Sequence, residues 1–207
     1  NDNDASPIPG VGIGDGSHPV RIRRDGDCYV VFNTRTGAKI RLAPAGGAFT
    51  KASRPELVDV KMTDFCAAGC KFCYQSSTQA GAVGDPRVVR AVIESLGVNH
   101  LGVFEIALGG GEPTAVDHFV STIQACHDNG VVPNFTTFAV DWLLDDAKVA
   151  AAATCGGIGV SVHGPKQLWK WEKIRERMPA PVQVTAQHVY GTLSADATRA
   201  LLYDCYS

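Results

Sequence analysis

From residue 57 onward, short β-type runs alternate with amphipathic segments. Strand candidates cover residues 57–62, 103–108, 131–137, 158–162 and 182–189, and helical patterns fill the gaps between them. Asp85 followed by Pro86 is a strong helix start, because a carboxylate at the N-cap accepts orphan backbone N–H groups and proline suits the first helical position. Val88, Val89, Val92, Ile93 and Leu96 then share one face, and Gly97 ends the run. Thr114 is expected to cap a second helix carrying Val116, Phe119, Val120 and Ile123 on one face. Asp141 is expected to cap a third, running through Leu143, Leu144 and Val149. Pro165 opens a fourth with Trp169, Trp171 and Ile174, and Ser194 or Asp196 opens a fifth with Leu201 and Leu202. Two tryptophans two positions apart cannot share one helix face, so one of Trp169 and Trp171 is expected in the core and the other outside it. Consecutive β–α units of this kind build a parallel sheet or a barrel-like wrap, with chemistry in the loops after the strands.

Ahead of this region the pattern differs. Residues 1–18 are rich in Gly, Pro, Asp and Asn and read as a flexible lead. Runs at 28–32 and 38–42, joined by a turn-like stretch, predict a β-hairpin element within residues 19–50, followed by a loop over about 43–55. The net charge of −2 gives no whole-molecule attraction to nucleic acid or to anionic membrane. Arg21, Arg23 and Arg24 form one local basic run. Lys170, Lys173, Arg175 and Arg177, interleaved with Glu172 and Glu176, form another that reads as a solvated helix face. No apolar run reaches the roughly 20 residues that a membrane helix needs, and the acidic N-terminus lacks the pattern of a signal peptide.

The seven cysteines are unevenly placed. Cys66, Cys70 and Cys73 crowd one loop after the first core strand, unlike the spacing of a secreted disulfide framework, so a reducing cytoplasm is expected. Three thiolates so close together can hold one iron–sulfur cluster, with one iron left open for a small molecule. Zinc with a fourth ligand from elsewhere, or plain structural thiols, are the alternatives on spacing alone. Cys126 and Cys155 read as core residues, and Cys28 and Cys205 have no partner pattern. A second motif, Gly109-Gly110-Gly111-Glu112-Pro113-Thr114, follows the second core strand. Taken alone it is a tight strand-to-helix turn with an acidic helix start.

Together the two motifs resemble the radical S-adenosylmethionine (SAM) superfamily. Its C-x3-C-x2-C signature carries an aromatic residue before the last cysteine, here Phe72, and the glycine run is similar to its GGEP motif. The resemblance covers about residues 55–205. It implies a partial (β/α) barrel core over residues 55–207, here with five visible β–α units where the family core has six. The core is therefore expected to be unusually short, to be a fragment truncated at its carboxyl end, or to be closed by a partner. It implies a [4Fe–4S] cluster on Cys66, Cys70 and Cys73, with SAM chelated by the open iron. Gly110, Gly111 and Glu112 would line the methionine amino group. Ser161 is a candidate contact to the SAM ribose or carboxylate. Gln187 or His188 is a candidate near the adenine, and His163 either faces the cavity or caps the next helix. The implied chemistry is reductive cleavage of SAM to a 5′-deoxyadenosyl radical that abstracts a substrate hydrogen, with an electron donor such as flavodoxin or ferredoxin. A peptide or protein substrate is favoured. A small molecule or nucleoside, or a non-catalytic metal-binding scaffold, are the alternatives. The N-terminal hairpin either recruits substrate or covers the sheet, and the second role is favoured.

Overall fold

The computed structural model describes residues 19–48 and 51–206. The lead expected over residues 1–18 lies outside the described residues. The N-terminal element is a three-stranded antiparallel meander of β1 (Val20–Asp25), β2 (Cys28–Asn33) and β3 (Lys39–Leu42), in the order β1-β2-β3. Gly26, at φ 63°, takes the two-residue turn between β1 and β2, where glycine alone adopts positive φ without strain. The Asn33 side chain accepts from the N–H groups of Arg35 and Thr36 and closes the next turn.

Only two of these strands are predicted from sequence. β1 reads as a basic patch because arginines occupy its inward face. Arg21 and Arg23 stack over the Phe104 ring, at 5.2 and 4.8 Å from its centroid. Their guanidinium groups donate to backbone carbonyls. Arg21 donates to Val103 and Gly130, and Arg23 to Arg54, Pro55 and Gly102. Phe32 packs against Phe104 at 5.1 Å between ring centroids, with Val30 and Val132 completing this small core. Lys39 pairs with Glu56 and Glu105, and Arg41 with Glu56 and the buried Asp25. The meander is thereby fastened to the amino ends of the core strands.

The core is a parallel sheet of β4 (Leu57–Thr63), β5 (Glu105–Gly110), β6 (Val132–Thr137), β7 (Gly157–Ser161) and β8 (Gln183–Gln187), in sequential order. Its connections carry α1 (Pro86–Leu96), α2 (Phe119–Asp128), α3 (Asp146–Ala152) and α4 (Leu168–Arg177), and α5 (Ala195–Tyr206) follows β8. Strand side chains alternate between two faces. Val60, Met62, Ile106, Leu108, Phe135, Ile158 and Val160 bury one face against Val89, Ile93, Phe119, Ile123, Ile174 and Leu201 of the helices, in one continuous core. The other face is polar: Asp59, Lys61, Thr136, Thr185 and Gln187 on it are exposed. A sequential parallel sheet with helices on one face is the winding of an incomplete (β/α) barrel, as the sequence predicts.

Two caps differ from expectation, and in both cases a short 3₁₀ turn intervenes. Thr114 lies inside the turn Pro113–Ala115, which Glu112 caps, and α2 starts only at Phe119. Asp141 opens the turn Asp141–Leu144, and Asp145 caps α3 through the N–H groups of Ala147 and Lys148. Asp85 caps α1 with Pro86 first, and the Ser194 hydroxyl accepts from Ala197 N at the start of α5. Trp171 packs on the core and donates to Val184 O, while Trp169 is 47% exposed.

Candidate functional site

The cysteine loop leaves β4 and returns beside it. Phe65 bridges to Thr78 and Thr63 to Val83, while Asp64 N donates to Ala82 O and Cys66 N to Thr78 O. Within the loop Cys73 N donates to Cys70 O at 3.1 Å, and Gly69, at φ 61°, makes the turn. Cys66, Cys70 and Cys73 are all half-buried free thiols. Burial raises the pKa of Cys70, and the neighbouring Cys66 and Cys73 push it further up. Among the described residues no trio of His, Cys, Asp or Glu converges on a single ion.

The glycine motif at the end of β5 is bonded directly onto this loop. Gly111 N donates to Thr63 O at 2.7 Å and Glu112 N to Phe65 O at 2.8 Å. A Cβ on Gly110 would lie 2.3 Å from Thr63 O, and one on Gly111 would lie 1.9 Å from Phe65 O. These two positions admit only glycine because the backbones touch, and Gly110 also sits at φ 106°.

Glu112 is 6% exposed, and its carboxylate is engaged by the protein on both oxygens. Oε1 accepts from Thr114 N, Thr114 Oγ1 and Thr137 Oγ1 at 3.2, 2.7 and 2.8 Å. Oε2 accepts from Phe138 N and Ala139 N at 2.8 and 3.2 Å. The residue ties the end of β5 to the loop after β6. This frame was not visible in sequence, because Thr137, Phe138 and Ala139 lie about 25 positions away and carry no motif.

Phe138 and Lys170 are the functional-site neighbours that sequence reasoning missed. Lys170 Nζ donates to Phe138 O at 3.1 Å and lies 3.3 Å from the centre of the Phe138 ring. It therefore leaves the solvated face to which its basic run assigned it, whereas Lys173, Arg175 and Arg177 remain exposed. Desolvation lowers the Lys170 pKa, opposed by the negative Glu112 and by Cys70. His163 follows β7 and faces the cysteine loop, with Nδ1 and Nε2 at 3.7 and 3.9 Å from the Cys70 sulfur. Burial, then Lys170 and His188, hold its pKa below the ordinary imidazole value. Phe72 is 41% exposed and meets the His163 ring edge-on.

Ser161 ends β7 half-buried, and Gln187 ends β8 opposite it in register. The Gln187 side chain lies across Gly159, where a Cβ would meet its Nε2 at 2.5 Å, and its Oε1 accepts from Thr136 Oγ1 at 3.4 Å. His188 donates from Nδ1 to Val162 O, which leaves its buried Nε2 without a partner. All of these residues stand at the carboxyl ends of the strands, on the same side as the cysteine loop.

The sequence model of the radical SAM superfamily matches residues 60–185, more than half of the chain. The chain belongs to the radical SAM superfamily. The family's cofactors are a [4Fe–4S] cluster and SAM, and the donor set fits them, with three grouped thiols beside a strand end stripped of side chains. The fold is shared with SuiB from Streptococcus suis bound to S-adenosylmethionine, at TM-score 0.68 and 13% identity, over 91% of this chain and 60% of that one. The complex of SuiB with its precursor peptide SuiA matches at TM-score 0.67 and 13% identity, over 90% of this chain and 59% of that one. The chain thus spans about 60% of the length of these structures. No curated protein sequence matches it. Among the described residues no helix is long and apolar enough to cross a membrane.

Proposed function

We propose that this chain cleaves SAM reductively at a [4Fe–4S] cluster held by Cys66, Cys70 and Cys73, for hydrogen abstraction from a peptide or protein. One observation carries the reading. Two motifs more than 30 residues apart are fused by the Gly111 to Thr63 and Glu112 to Phe65 hydrogen bonds, with glycine where any side chain would hold them apart. Nothing in a structural turn alone requires a cysteine triad at that junction.

When bound, the cluster and SAM supply a one-electron carbon–sulfur cleavage that yields a 5′-deoxyadenosyl radical. The protein's part is to bind, orient and shield. The thiolates of Cys66, Cys70 and Cys73 would hold the cluster. Gly110 and Gly111 give the methionine end close access to backbone, and Glu112 fixes that strand end while contributing negative charge beside an ammonium. Ser161 and Gln187, paired in register at the ends of β7 and β8, are assigned to the nucleoside end. Phe72, edge-on to His163, would cover part of a cluster held by the loop, and exposed Lys71 and Tyr74 would form the rim reached by a flavodoxin- or ferredoxin-like donor. β8 is an edge strand, so the polar face is open on that side to an extended substrate. The peptide complex of SuiB, which shares the fold, supports a peptide over a small molecule. The seven free cysteines suit a reducing compartment, and we assign the protein to the cytoplasm. The unit spanning residues 55–207 acts as the catalytic core, and the meander as its cover at the amino ends of the strands.

The test is anaerobic reconstitution with iron and sulfide, reduction with dithionite, addition of SAM, and assay for 5′-deoxyadenosine. Formation by the wild type and loss in Cys70→Ala is expected. Zinc in place of iron and sulfide overturns the reading. A full cluster that never cleaves SAM, with or without peptide, leaves the protein a non-catalytic scaffold.

A further inference from the structure

We propose that Asp59 and Lys61, on the polar face of the core sheet, select a peptide segment that carries a basic and an acidic side chain two positions apart. This inference deepens the function proposed above and rests on it. It names the chemistry of the peptide, which the cysteine and glycine motifs do not specify.

Asp59 and Lys61 alternate along β4 with the buried Val60 and Met62, so both project from the polar face, about 6.6 Å apart along the strand. At these two levels β5 offers them nothing to pair with. Ala107 stands beside Asp59 in register and Gly109 beside Lys61, and a Cβ on Gly109 would meet nothing within 4 Å beyond its chain neighbours. The space next to both charges is therefore open.

The charges on this face are differently engaged. At the amino end Glu105 is tied down: Asn134 Nδ2 donates to its Oε1 at 3.3 Å, and Lys39 Nζ lies 3.6 Å from its Oε2. At the carboxyl end the Lys61 stem lies along Gly110, where a Cβ would come within 2.7 Å of its Cγ, and the ammonium pairs with Asp64 in the cysteine loop. That pairing leaves donors of the ammonium over and holds a cation at the junction of the two motifs. Asp59 lies between these two points. It is exposed, and among the described residues it makes no hydrogen bond or ion pair.

An extended peptide repeats the side chains of one face at the same interval of two residues. Laid along β4, it sets one side chain over Asp59 and the next over Lys61. A Lys or Arg is attracted at the first position and an Asp or Glu at the second, while two like charges always place one of them against its own sign.

The experiment is an anaerobic fluorescence-anisotropy titration of the reconstituted holoprotein, with SAM, at low ionic strength. The probes are labelled Gly/Ala peptides with Lys-Ala-Asp, Lys-Ala-Lys, Asp-Ala-Asp, Ala-Lys-Asp or Ala-Ala-Ala at the centre. The wild type is expected to bind the Lys-Ala-Asp peptide about fivefold tighter than each of the others. Asp59→Lys alters an exposed, unpaired side chain and is expected to move the preference to Asp-Ala-Asp. Equal affinity for all five peptides, or binding of none by a holoprotein that binds SAM, overturns the proposal, and the face then serves SAM alone. A preference that Asp59→Lys leaves unchanged overturns it as well. A wild-type protein that takes up no iron and sulfide refutes instead the underlying function, and this inference with it.

Discussion

Replacing Glu112 with alanine separates a residue that holds the protein together from one that serves only a ligand. Its carboxylate accepts five hydrogen bonds from the chain. Ala139 N keeps a second acceptor in Thr137 Oγ1 at 3.1 Å. Thr114 N and Phe138 N lose the acceptor that holds them. An unsatisfied buried donor costs about 1–3 kcal/mol, so two of them cost about 2–6 kcal/mol. Rotation of the Thr114 and Thr137 hydroxyls and entry of water relieve part of this, giving about 3 kcal/mol against a total stability of about 5–15 kcal/mol. In urea unfolding of the cofactor-free protein, Glu112→Ala is expected to lower the midpoint without changing the slope. Glu112→Gln is expected to lose less, about 1–2 kcal/mol, because its amide nitrogen must face either Thr114 N or Phe138 N but not both. If Glu112→Ala unfolds within about 0.5 kcal/mol of wild type, a range typical of surface substitutions, the frame argument is wrong and Glu112 acts only toward its ligand.

Gly111→Ala forces a Cβ to within 1.9 Å of Phe65 O, so the glycine strand end and the cysteine loop must part. Its iron content after reconstitution is expected to collapse while α-helical circular dichroism persists. Asp85, held by the Arg87 side chain and then by Arg87 N, has its pKa lowered from 3.8 to about 2. Because the folded value is the depressed one, its stabilisation of α1 is complete above the unfolded value and fades as pH falls from about 4 toward 2. The stability gap between wild type and Asp85→Ala should therefore close over that window in acid unfolding curves. Burial pushes the Cys126 thiol up to about 12, and burial together with Cys126 pushes Cys155 up as well. In the cofactor-free native protein at pH 8, a thiol reagent followed by peptide mapping should modify Cys66, Cys70 and Cys73 and spare Cys126 and Cys155 until denaturant is added.

The parallel sheet was legible because its strands obey local rules. Apolar runs of strand length separated by capped, one-faced helices leave few other arrangements, and all five core strands overlap their predicted positions. What escaped was information carried between distant residues. β1 hid because Arg21 and Arg23 do the work of apolar residues by stacking on Phe104, a contact visible only once residues 21 and 104 are brought together. The helix starts after Glu112 and Val140 were displaced because 3₁₀ turns have no periodic signature of their own. At the site, the cysteines and glycines announced themselves by spacing. Phe138 and Lys170 did not, since a lone aromatic and one lysine among several carry no pattern until the fold stacks one upon the other.

The fastening of the N-terminal meander bears on the order in which the chain can be built. Its three strands leave the ribosome before the core strands do, yet the carbonyls that Arg21 grips belong to residues 82 and 109 positions further on. Closing contacts at such separation is slow, because the intervening loop must first lose its freedom. During synthesis the meander therefore waits with Phe32 uncovered until Phe104 and Val132 have been made. A lesion in α2 or β6, remote from the meander in sequence, would show itself first as an N-terminus left open to proteases.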